Sequence, residues 1–402
     1  MLLLLALLPG TASAGKFCDQ MRQRLVAGGG GASGLLVVDA ETGRTVCARA
    51  PGTPRPLASN MKLFTTSTAL SRFGPEYRIA TKLLGDGSID IKGELHGSLY
   101  LQGAGDPALG VPAFYNRFLG GLGTNVYELG DQLREAGVRS VSGRLYADDT
   151  VFDRLRGVAD SGYATSPYIG PLSGLSFDSG YSDAGADSFA ADPARAAATA
   201  LARSLRTSGV ALRGQVARAR TPADATTLAR VDSPTMSQLV RITDVYSNNF
   251  FAEMLMKLIG SRFGGAGSTR AGAGVVERFA RSLGSGVHAV DGSGLTRSNR
   301  ASPRQVVRLL LSMRADPVGD EFIQGLALTG QTGTVASRTE GTAAYGRCRT
   351  KTGTLTGVSN LSGYCFNRSG RVMAFSVLMG SVANLTLAHY EQDLIAAAVA
   401  SY

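Results

Sequence analysis

Residues 56–66 read PLASNMKLFTT, and this stretch places a serine and a lysine one helical turn apart. Ser59 is a residue type that favours the N-cap of a helix, and Gly74-Pro75 is a typical helix end, so the pattern predicts a helix starting at Ser59. Because residues at i and i+3 share a helix face, Ser59 and Lys62 are expected to touch. A desolvated lysine beside a serine can be neutral and act as a base. Ser-x-x-Lys also occurs at residues 13–16, so the rest of the chain must decide whether the motif is catalytic.

Length and composition describe a globular protein with room for two or three domains. The chain has 402 residues, of which 44% are hydrophobic, and a formal net charge of +10 that is spread along its length. No Lys/Arg block, P-loop or zinc-type Cys/His spacing stands out, which argues against a nucleic-acid tract. A diffuse basic surface favours anionic envelope polymers, although it serves solubility equally well.

The first 14 residues, MLLLLALLPGTASA, predict a secretory signal peptide cleaved after Ala14. Their apolar run is too short to cross a membrane, and no other stretch is a candidate transmembrane span. The sequence therefore predicts an exported protein of the periplasm, cell wall or extracellular space. Four cysteines agree with an oxidising compartment.

Four cysteines allow three disulfide pairings. Cys348 and Cys365 lie symmetrically about residues 356–357, where TLTG predicts a hairpin turn. They would then face each other across two antiparallel strands. Cys18 and Cys47 form the remaining pair, between an N-terminal helix and an early strand.

The N-terminal part of the mature chain predicts a short helix, a glycine-rich loop and a hairpin. FCDQMRQRLVA is the helix, and Gly28 to Gly34 is the loop. Alternation predicts strands near residues 35–40 and 45–50, joined by a turn.

Residues 76–232 differ in character, with short alternating segments separated by Gly/Asp turns and one clear amphipathic helix ended by Gly209. They predict an inserted, mostly β region. Ser233-Pro234 predicts a capped helix with proline in its first turn, and further helices and late strands follow. The expected fold class is α/β (α+β). Residues 15–75 and 233–402 form one catalytic domain, an antiparallel sheet flanked by helices, which residues 76–232 interrupt.

Two further motifs support a catalytic interpretation of the Ser59 stretch. Ser247-Asn248-Asn249 is the only Ser-x-Asn in the chain and lies in an inter-helix loop, and Lys351-Thr352-Gly353 is the only Lys-Thr-Gly and lies on a predicted strand. With Ser-x-x-Lys, they occur in the order found in serine β-lactamases and penicillin-binding proteins. None of the three histidines has a nucleophile context, which argues against a Ser-His-Asp triad.

At this point the chain resembles a low-molecular-mass penicillin-binding protein of the D-alanyl-D-alanine carboxypeptidase/endopeptidase family, with a large insertion after Ser-x-x-Lys. The resemblance covers nearly the whole mature chain and includes GSLYLQGAGDPAL, DGSGLTRSN and GRCRTKTGTLTGVSNLSGY. It implies a serine β-lactamase/DD-peptidase-like transpeptidase domain.

The resemblance also implies the catalytic roles of five side chains. Ser59 would attack the carbonyl of the penultimate D-alanine, and Lys62 would be its base. Ser247 would relay the proton to the departing D-alanine, and Asn249 would donate its amide to a substrate carbonyl. Lys351 would supply positive charge for the terminal carboxylate.

The substrate-binding residues are expected around the Lys-Thr-Gly strand. Thr352, Gly353 and Thr354 would hold the carboxylate, and the backbone N–H groups of Ser59 and Thr354 would form the oxyanion hole. Further candidates for lining the cleft come from the DGSGLTR segment, for which a structural loop is the competing interpretation: Asp291, Ser293 and Arg297. Tyr246 with Asn248 offers a competing Tyr-x-Asn register, and the serine register is preferred.

The predicted function is that of a serine-type D-Ala-D-Ala carboxypeptidase that acts on peptidoglycan stem peptides and is acylated by β-lactams. Whether it is also a DD-endopeptidase is left open by the sequence. The mechanism needs no metal or organic cofactor. One alternative is a β-lactamase or esterase of the same fold, and another is a non-catalytic wall-binding protein.

Overall fold

The computed structural model describes residues 11–402, with side chains from residue 15 onward. The signal peptide predicted for residues 1–14 lies outside the described residues, apart from the helix backbone that begins at Thr11. Among the helices described, none combines the length and apolar character needed to cross a lipid bilayer.

The α-helices alternate with short and long strands along the chain. The helices are α1 (Thr11–Gly29), α2 (Met61–Phe73), α3 (Pro112–Phe118), α4 (Glu128–Glu135), α5 (Pro193–Thr207), α6 (Met236–Val245), α7 (Asn249–Phe263), α8 (Thr269–Ser282), α9 (Pro303–Arg314), α10 (Gly319–Gly325) and α11 (Leu385–Ser401). The strands of the first part are β1 (Gly34–Asp39), β2 (Thr45–Arg49), β3 (Arg55–Pro56), β4 (Ala80–Gly85), β5 (Ser88–Ile89), β6 (Glu94–His96), β7 (Leu99–Gln102), β8 (Leu109–Gly110) and β9 (Thr124–Asn125). The remaining strands are β10 (Ser140–Val141), β11 (Leu145–Asp148), β12 (Ala211–Leu212), β13 (Val216–Arg218), β14 (Thr226–Asp232), β15 (Arg300–Ala301), β16 (Ala327–Leu328), β17 (Cys348–Leu355), β18 (Val358–Phe366) and β19 (Val372–Gly380).

The predicted antiparallel sheet is confirmed, with strand order β16-β17-β18-β19-β1-β2. Its hydrophobic residues alternate between two faces, as the twofold strand period requires. Leu36 and Val38 of β1 join the core that contains Met61 of α2, whereas Leu35 and Val37 join the core on the other face, against α1 and α11. The sheet is therefore the middle layer between two groups of helices.

Both predicted disulfides are confirmed. Cys348 is paired directly with Cys365 in the β17–β18 register, and a bond joins them with a Cα–Cα distance of 4.1 Å. Cys18 of α1 is bonded to Cys47 of β2, with a Cα–Cα distance of 5.1 Å. The first bond closes the hairpin that carries the Lys-Thr-Gly motif, and the second attaches α1 to the far edge of the sheet.

The region between α2 and α6 contains two sheets, of order β13-β11-β7-β4-β14 and β12-β10-β6-β5. Strands β7, β11 and β13 are parallel, so their connections must cross over, and α4 and α5 provide these crossovers. This region thus contains helices as well as strands. Strands β4 and β14 pair antiparallel, which brings the two ends of this region together. The domain boundaries after residues 75 and 232 stay a prediction.

Two local predictions are wrong. Gly28 and Gly29 belong to α1 and not to a loop, because the helix end packs so closely that a Cβ on Gly29 would lie 2.4 Å from Ser33 Oγ. Ser233 does not cap α6, because its hydroxyl accepts a hydrogen bond from the backbone N–H of Ile79 at 2.8 Å. Thr235 caps the helix instead, in a capping box with Gln238.

Candidate active site

Ser59 lies in a 3₁₀ turn, Ala58–Asn60, that leads directly into α2. The expectation that Ser59 caps the helix is wrong, because its Oγ is held by Lys62 Nζ at 3.0 Å. Ala58 has a φ of 44°, in the left-handed region that non-glycine residues rarely adopt. Such backbone conformations cost about 1–3 kcal/mol and concentrate at functional sites. The turn is fixed to the neighbouring strand by Asn60, whose Nδ2 donates to Lys351 O at 3.0 Å.

Lys62 is fully buried on α2 and has three oxygen atoms around its amine. Nζ lies 3.0 Å from Ser59 Oγ, 2.7 Å from Asn249 Oδ1 and 2.6 Å from Ser293 O. Burial lowers the pKa of Lys62 well below its usual value, and the charge of Lys351 lowers it further. The site therefore favours a neutral amine next to the serine hydroxyl.

Lys351 and Ser247 form a second pair on the opposite side of the site. Lys351 Nζ donates to Ser247 Oγ at 2.9 Å and to Thr352 O at 3.0 Å. Burial lowers the pKa of Lys351 to about 8. Ser247 has a φ of 56°, so this serine, like the turn at Ala58, is held in a strained backbone conformation.

The structure also separates the two possible registers around Ser247. Asn249 reaches the site, with Oδ1 bound to Lys62 and Nδ2 donating to Tyr168 O at 3.1 Å. Asn248 instead caps α7, where its side chain accepts a hydrogen bond from Phe251 N at 3.0 Å. The side chain of Tyr246 is exposed. The geometry thus brings the Ser-x-Asn pair, and not Tyr246 and Asn248, to Lys62 and Lys351.

Two glycines allow the backbone segments to approach the Ser59 turn. A Cβ on Gly353 would lie 2.8 Å from Leu57 O, and one on Gly294 would lie 1.8 Å from Ala58 O. Gly294 also has a φ of +88°. Strand β17 and the loop around Gly294 can therefore pack on this turn only because these positions have no side chain.

The Ser59 hydroxyl opens into a cavity of about 890 Å³. Of the predicted residues, those that line it are Ser59, Ser247, Asn249, Thr352, Gly353 and Thr354. Lys62 and Lys351 do not line the cavity, but each contacts a residue that does, Ser59 and Ser247 respectively. The cavity has further walls that sequence reasoning missed: Val158, Asp160, Ser161, Ser166, Tyr168, Leu295, Thr334, Arg338, Leu355, Thr356 and His389.

The expectation that Asp291, Ser293 and Arg297 line the cleft is corrected. Asp291 is buried, and its carboxylate accepts hydrogen bonds from Gly294 N at 2.7 Å and Thr296 N at 2.9 Å, so it holds the loop. Ser293 is buried and contributes its carbonyl oxygen, not its hydroxyl, to Lys62. Arg297 does not line the cavity; it is exposed and donates to the backbone oxygen of Thr356, which is one of the lining residues.

Two buried carboxyl groups near the lysines were not predicted. Glu253 Oε1 accepts hydrogen bonds from Gly292 N at 2.9 Å and Ser293 N at 2.7 Å, and burial raises its pKa to about 7. Burial raises the pKa of Asp244 to about 6. The available sequence signal was a charged residue within an apolar helical run, as in NNFFAEMLMKLIG and QLVRITDV.

Among the described residues, one group has the composition of a metal site: Asp90, Glu94 and His96, whose ligand atoms lie within 4.8 Å of one another. This group is on the β5–β6 hairpin and is not part of the cavity around Ser59. Asp90 Oδ1 already accepts two backbone N–H groups, and Glu94 is paired with Arg213 at 3.4 Å.

Comparisons with known proteins agree with this arrangement. The model of the D-Ala-D-Ala carboxypeptidase 3 (S13) family matches residues 22–191 and 185–399. The chain is 32% identical over 456 residues to a D-alanyl-D-alanine carboxypeptidase of Actinomadura sp. (strain R39), covering 93% of this chain and 82% of that protein.

Solved structures share the fold. The crystal structure of penicillin binding protein 4 (dacB) from Haemophilus influenzae superposes with a TM-score of 0.78 at 20% identity, covering 96% of this chain and 99% of that one. The same protein complexed with a β-lactam gives a TM-score of 0.76 at 20% identity, again over 96% and 99% of the two chains. With the family model matching most of its length, this chain belongs to the D-Ala-D-Ala carboxypeptidase 3 (S13) family.

Proposed function

We propose that this protein is a serine-type D-Ala-D-Ala carboxypeptidase that works through an acyl-enzyme on Ser59. The observation that carries the proposal is the position of Ser59 Oγ, which lines the cavity and lies 3.0 Å from the buried amine of Lys62. A serine hydroxyl is a weak nucleophile unless an adjacent base takes its proton, and this contact supplies one.

The contacts of Lys62 match those of a neutral amine. Asn249 Oδ1 and Ser293 O can only accept, so each takes one N–H from Nζ. A neutral amine has no third N–H, and its lone pair then points to the remaining neighbour, the Ser59 hydroxyl. Lys62 is thus arranged to accept the proton of Ser59 as the hydroxyl attacks the carbonyl carbon.

The pair Ser247–Lys351 is placed to return a proton to the leaving amine. Ser247 Oγ accepts from Lys351 Nζ at 2.9 Å, which leaves its own O–H free to point into the cavity. As the peptide bond breaks, Ser247 donates this proton to the departing D-alanine nitrogen and takes one from Lys351 Nζ. When water then hydrolyses the acyl-enzyme, the proton of the water passes through Ser247 to Lys351, and Lys62 returns the first proton to Ser59, so that each group regains its starting proton.

Thr352, Thr354 and the charge of Lys351 form the binding site for the terminal carboxylate. Thr352 Oγ1 donates a hydrogen bond to Thr334 Oγ1 at 2.8 Å. Thr334 therefore adds a further hydroxyl group to this part of the site, although it lies outside the three motifs. The oxyanion donors are the backbone N–H groups of Ser59 and Thr354, both at the cavity wall. The Asn249 amide has a second N–H, beyond the one bound to Tyr168 O, for a substrate carbonyl.

The substrates proposed are peptidoglycan stem peptides ending in D-Ala-D-Ala, and β-lactams are proposed as covalent inhibitors. Export follows from the same proposal, because these substrates lie outside the cytoplasm. The H. influenzae protein of the same fold has been solved with a β-lactam. DD-endopeptidase activity would use the same acyl-enzyme when the bond cleaved is a cross-link.

Release of D-alanine from a synthetic peptide ending in D-Ala-D-Ala tests the proposal. We expect the wild type to release one D-alanine per molecule of peptide and Ser59→Ala to release none. A matched peptide ending in L-Ala-L-Ala is the control for stereospecificity. If D-alanine is not released although the protein reacts with penicillin, the β-lactamase or esterase alternative is favoured. If neither reaction occurs, the non-catalytic wall-binding alternative remains.

A further inference from the structure

The carboxylate of Asp244 is a fully buried group that the mechanism above does not use. Asp244 lies in the last turn of α6, three residues before Ser247, and is 0% exposed. Neither of its oxygens has a hydrogen-bond partner among the protein groups of residues 11–402. The neighbouring Thr66 hydroxyl donates its single proton to Lys62 O at 2.7 Å. A buried carboxylate without donors is costly, so its charge must be compensated in another way.

The other two buried carboxylates near the active-site lysines have a structural explanation that Asp244 lacks. Glu253 binds the backbone N–H groups of Gly292 and Ser293, and Asp291 binds those of Gly294 and Thr296. Both hold the loop that passes behind Lys62. Asp244 holds no backbone group, so its buried charge serves no such purpose.

Asp244 lies close to both active-site lysines, although neither amine comes within 4.0 Å of its carboxylate: its helix α6 packs against α2, which carries Lys62, and leads to Ser247, which binds Lys351. The charges of these two lysines favour the ionised carboxylate. Lys351 has the larger effect and Lys62 the smaller. The two amines also differ in the number of oxygen atoms that surround them. Lys62 has three oxygen neighbours, whereas Lys351 has two acceptors, Ser247 Oγ and Thr352 O, within the described part of the chain. As an ammonium group, Lys351 therefore has a third N–H available.

We propose that Asp244 is a positioning residue that determines which lysine carries the proton: its buried negative charge keeps Lys351 as an ammonium group and leaves Lys62 as the neutral base. This inference rests on the proposed function, in which Lys351 must be charged to hold the substrate carboxylate and Lys62 must be neutral to accept the Ser59 proton. Asp244 touches neither Ser59 nor the substrate and acts through the two lysines.

The sign of the effect can be worked out. The negative charge of Asp244 raises the pKa of both lysines, and burial opposes it. Lys62 is also affected by Glu253 and Asp291, which raise its pKa, and by Lys351, which lowers it. Removing the charge therefore lowers both pKa values, that of Lys351 more. In a profile of acylation rate against pH, the acid limb reports loss of the Lys62 proton and the alkaline limb reports loss of the Lys351 proton. Both limbs should move to lower pH, and the alkaline limb should move further.

The experiment measures second-order acylation by a fluorescent penicillin from pH 5 to pH 10 for the wild type, Asp244→Asn and Asp244→Glu. We expect the alkaline limb of Asp244→Asn to move down by about one pH unit, a tenfold loss of rate above it. Asp244→Glu restores the charge and should return the limb toward its wild-type position. Asp244→Ser, which is smaller and also neutral, gives the same readout if the asparagine variant does not fold.

Asp178→Asn is the matched control. Asp178 is also fully buried with an unpartnered carboxylate oxygen, but it lies in the region between β11 and α5, and the lysines do not affect its pKa. Its replacement should leave both limbs in place. If Asp244→Asn lowers the rate equally at every pH, or leaves the profile unchanged, the inference is overturned while the proposed function stands. A wild type that penicillin does not acylate would overturn the proposed function and this inference with it.

Discussion

Replacing Lys62 with methionine tests the identity of the base. Methionine has a similar length and no charge, so it suits a site that is 0% exposed. General base catalysis typically contributes about 10²–10⁴-fold, which corresponds to about 3–5 kcal/mol of the acylation barrier. We expect Lys62→Met to lose acylation by a factor in this range, because the second lysine of the site, Lys351, is bound to Ser247 and not to Ser59.

The stability of the same variant can be bounded from the contacts of Nζ. The substitution leaves Asn249 Oδ1 and Ser293 O without their donor, at a cost of about 1–3 kcal/mol each. In return, methionine removes the cost of keeping a buried lysine amine unprotonated near neutral pH, which is on the order of several kcal/mol. These terms nearly cancel, so the folded state should persist.

The assay is a time course of labelling with a fluorescent penicillin, followed on a gel beside a thermal melt. Lys257→Met provides a matched control, because Lys257 is an equally buried lysine whose partners are Asp153 Oδ1 and Leu155 O. That variant should lose stability while its labelling rate stays within a factor of ten. A folded Lys62→Met protein that labels within tenfold of the wild-type rate would refute the assignment of Lys62 as base.

Other outcomes follow from the same structure. Intact-mass measurement after penicillin treatment should show a persistent one-to-one adduct on the wild type and none on Ser59→Ala, whereas rapid turnover without an adduct would indicate a β-lactamase. Replacing Cys348 and Cys365 together with alanine should destabilise the fold by about 2–4 kcal/mol, measured by denaturant unfolding; an unchanged midpoint would contradict the stabilising role given to this disulfide. Because Lys351 is charged only below its pKa of about 8, peptide affinity should weaken as the pH rises above 8, measured as an increase in KM; a constant KM up to pH 10 would remove Lys351 from carboxylate binding. Gly353→Ala should slow acylation at least tenfold with little change in unfolding midpoint, because the new Cβ would meet Leu57 O at 2.8 Å and push β17 away from the Ser59 turn; wild-type labelling would show that the strand has room to move.

The parts of the fold that the sequence predicted are those that depend on local spacing. The β17–β18 hairpin followed from a turn signal and the symmetric cysteines, and the contact of Ser59 with Lys62 followed from the helical period. The backbone conformation of the Ser59 turn could not be predicted in the same way. Ala58 adopts a positive φ at the point where Gly294 packs against its carbonyl group, and nothing in the neighbouring sequence indicates that contact.

The predicted site residues divide along similar lines. Side chains within the three motifs converge because each motif fixes a short segment, and the tertiary fold brings the segments together. Asp291 and Ser293 were expected in the cleft because their segment belongs there, but segment membership does not tell which atoms face the cavity. Asp244 was missed because an acid on an amphipathic helix is usually solvent-exposed, and only the packed structure shows that this one is buried.

The hydrogen bond from Asn60 to Lys351 O joins residues that are 291 positions apart in the chain. A ribosome therefore completes the nucleophile long before it makes the strand that forms the opposite wall. Strand β1 is also made early, but it cannot complete its pairing until the late strand β19 has been made, because its neighbours in the sheet are β2 and β19. During that interval the segment from β4 to β14, whose ends lie side by side, is already complete. A chain that is still being translated should therefore react with penicillin only after its last strands have been made. Before that point it has Ser59 and Lys62 but no complete active site.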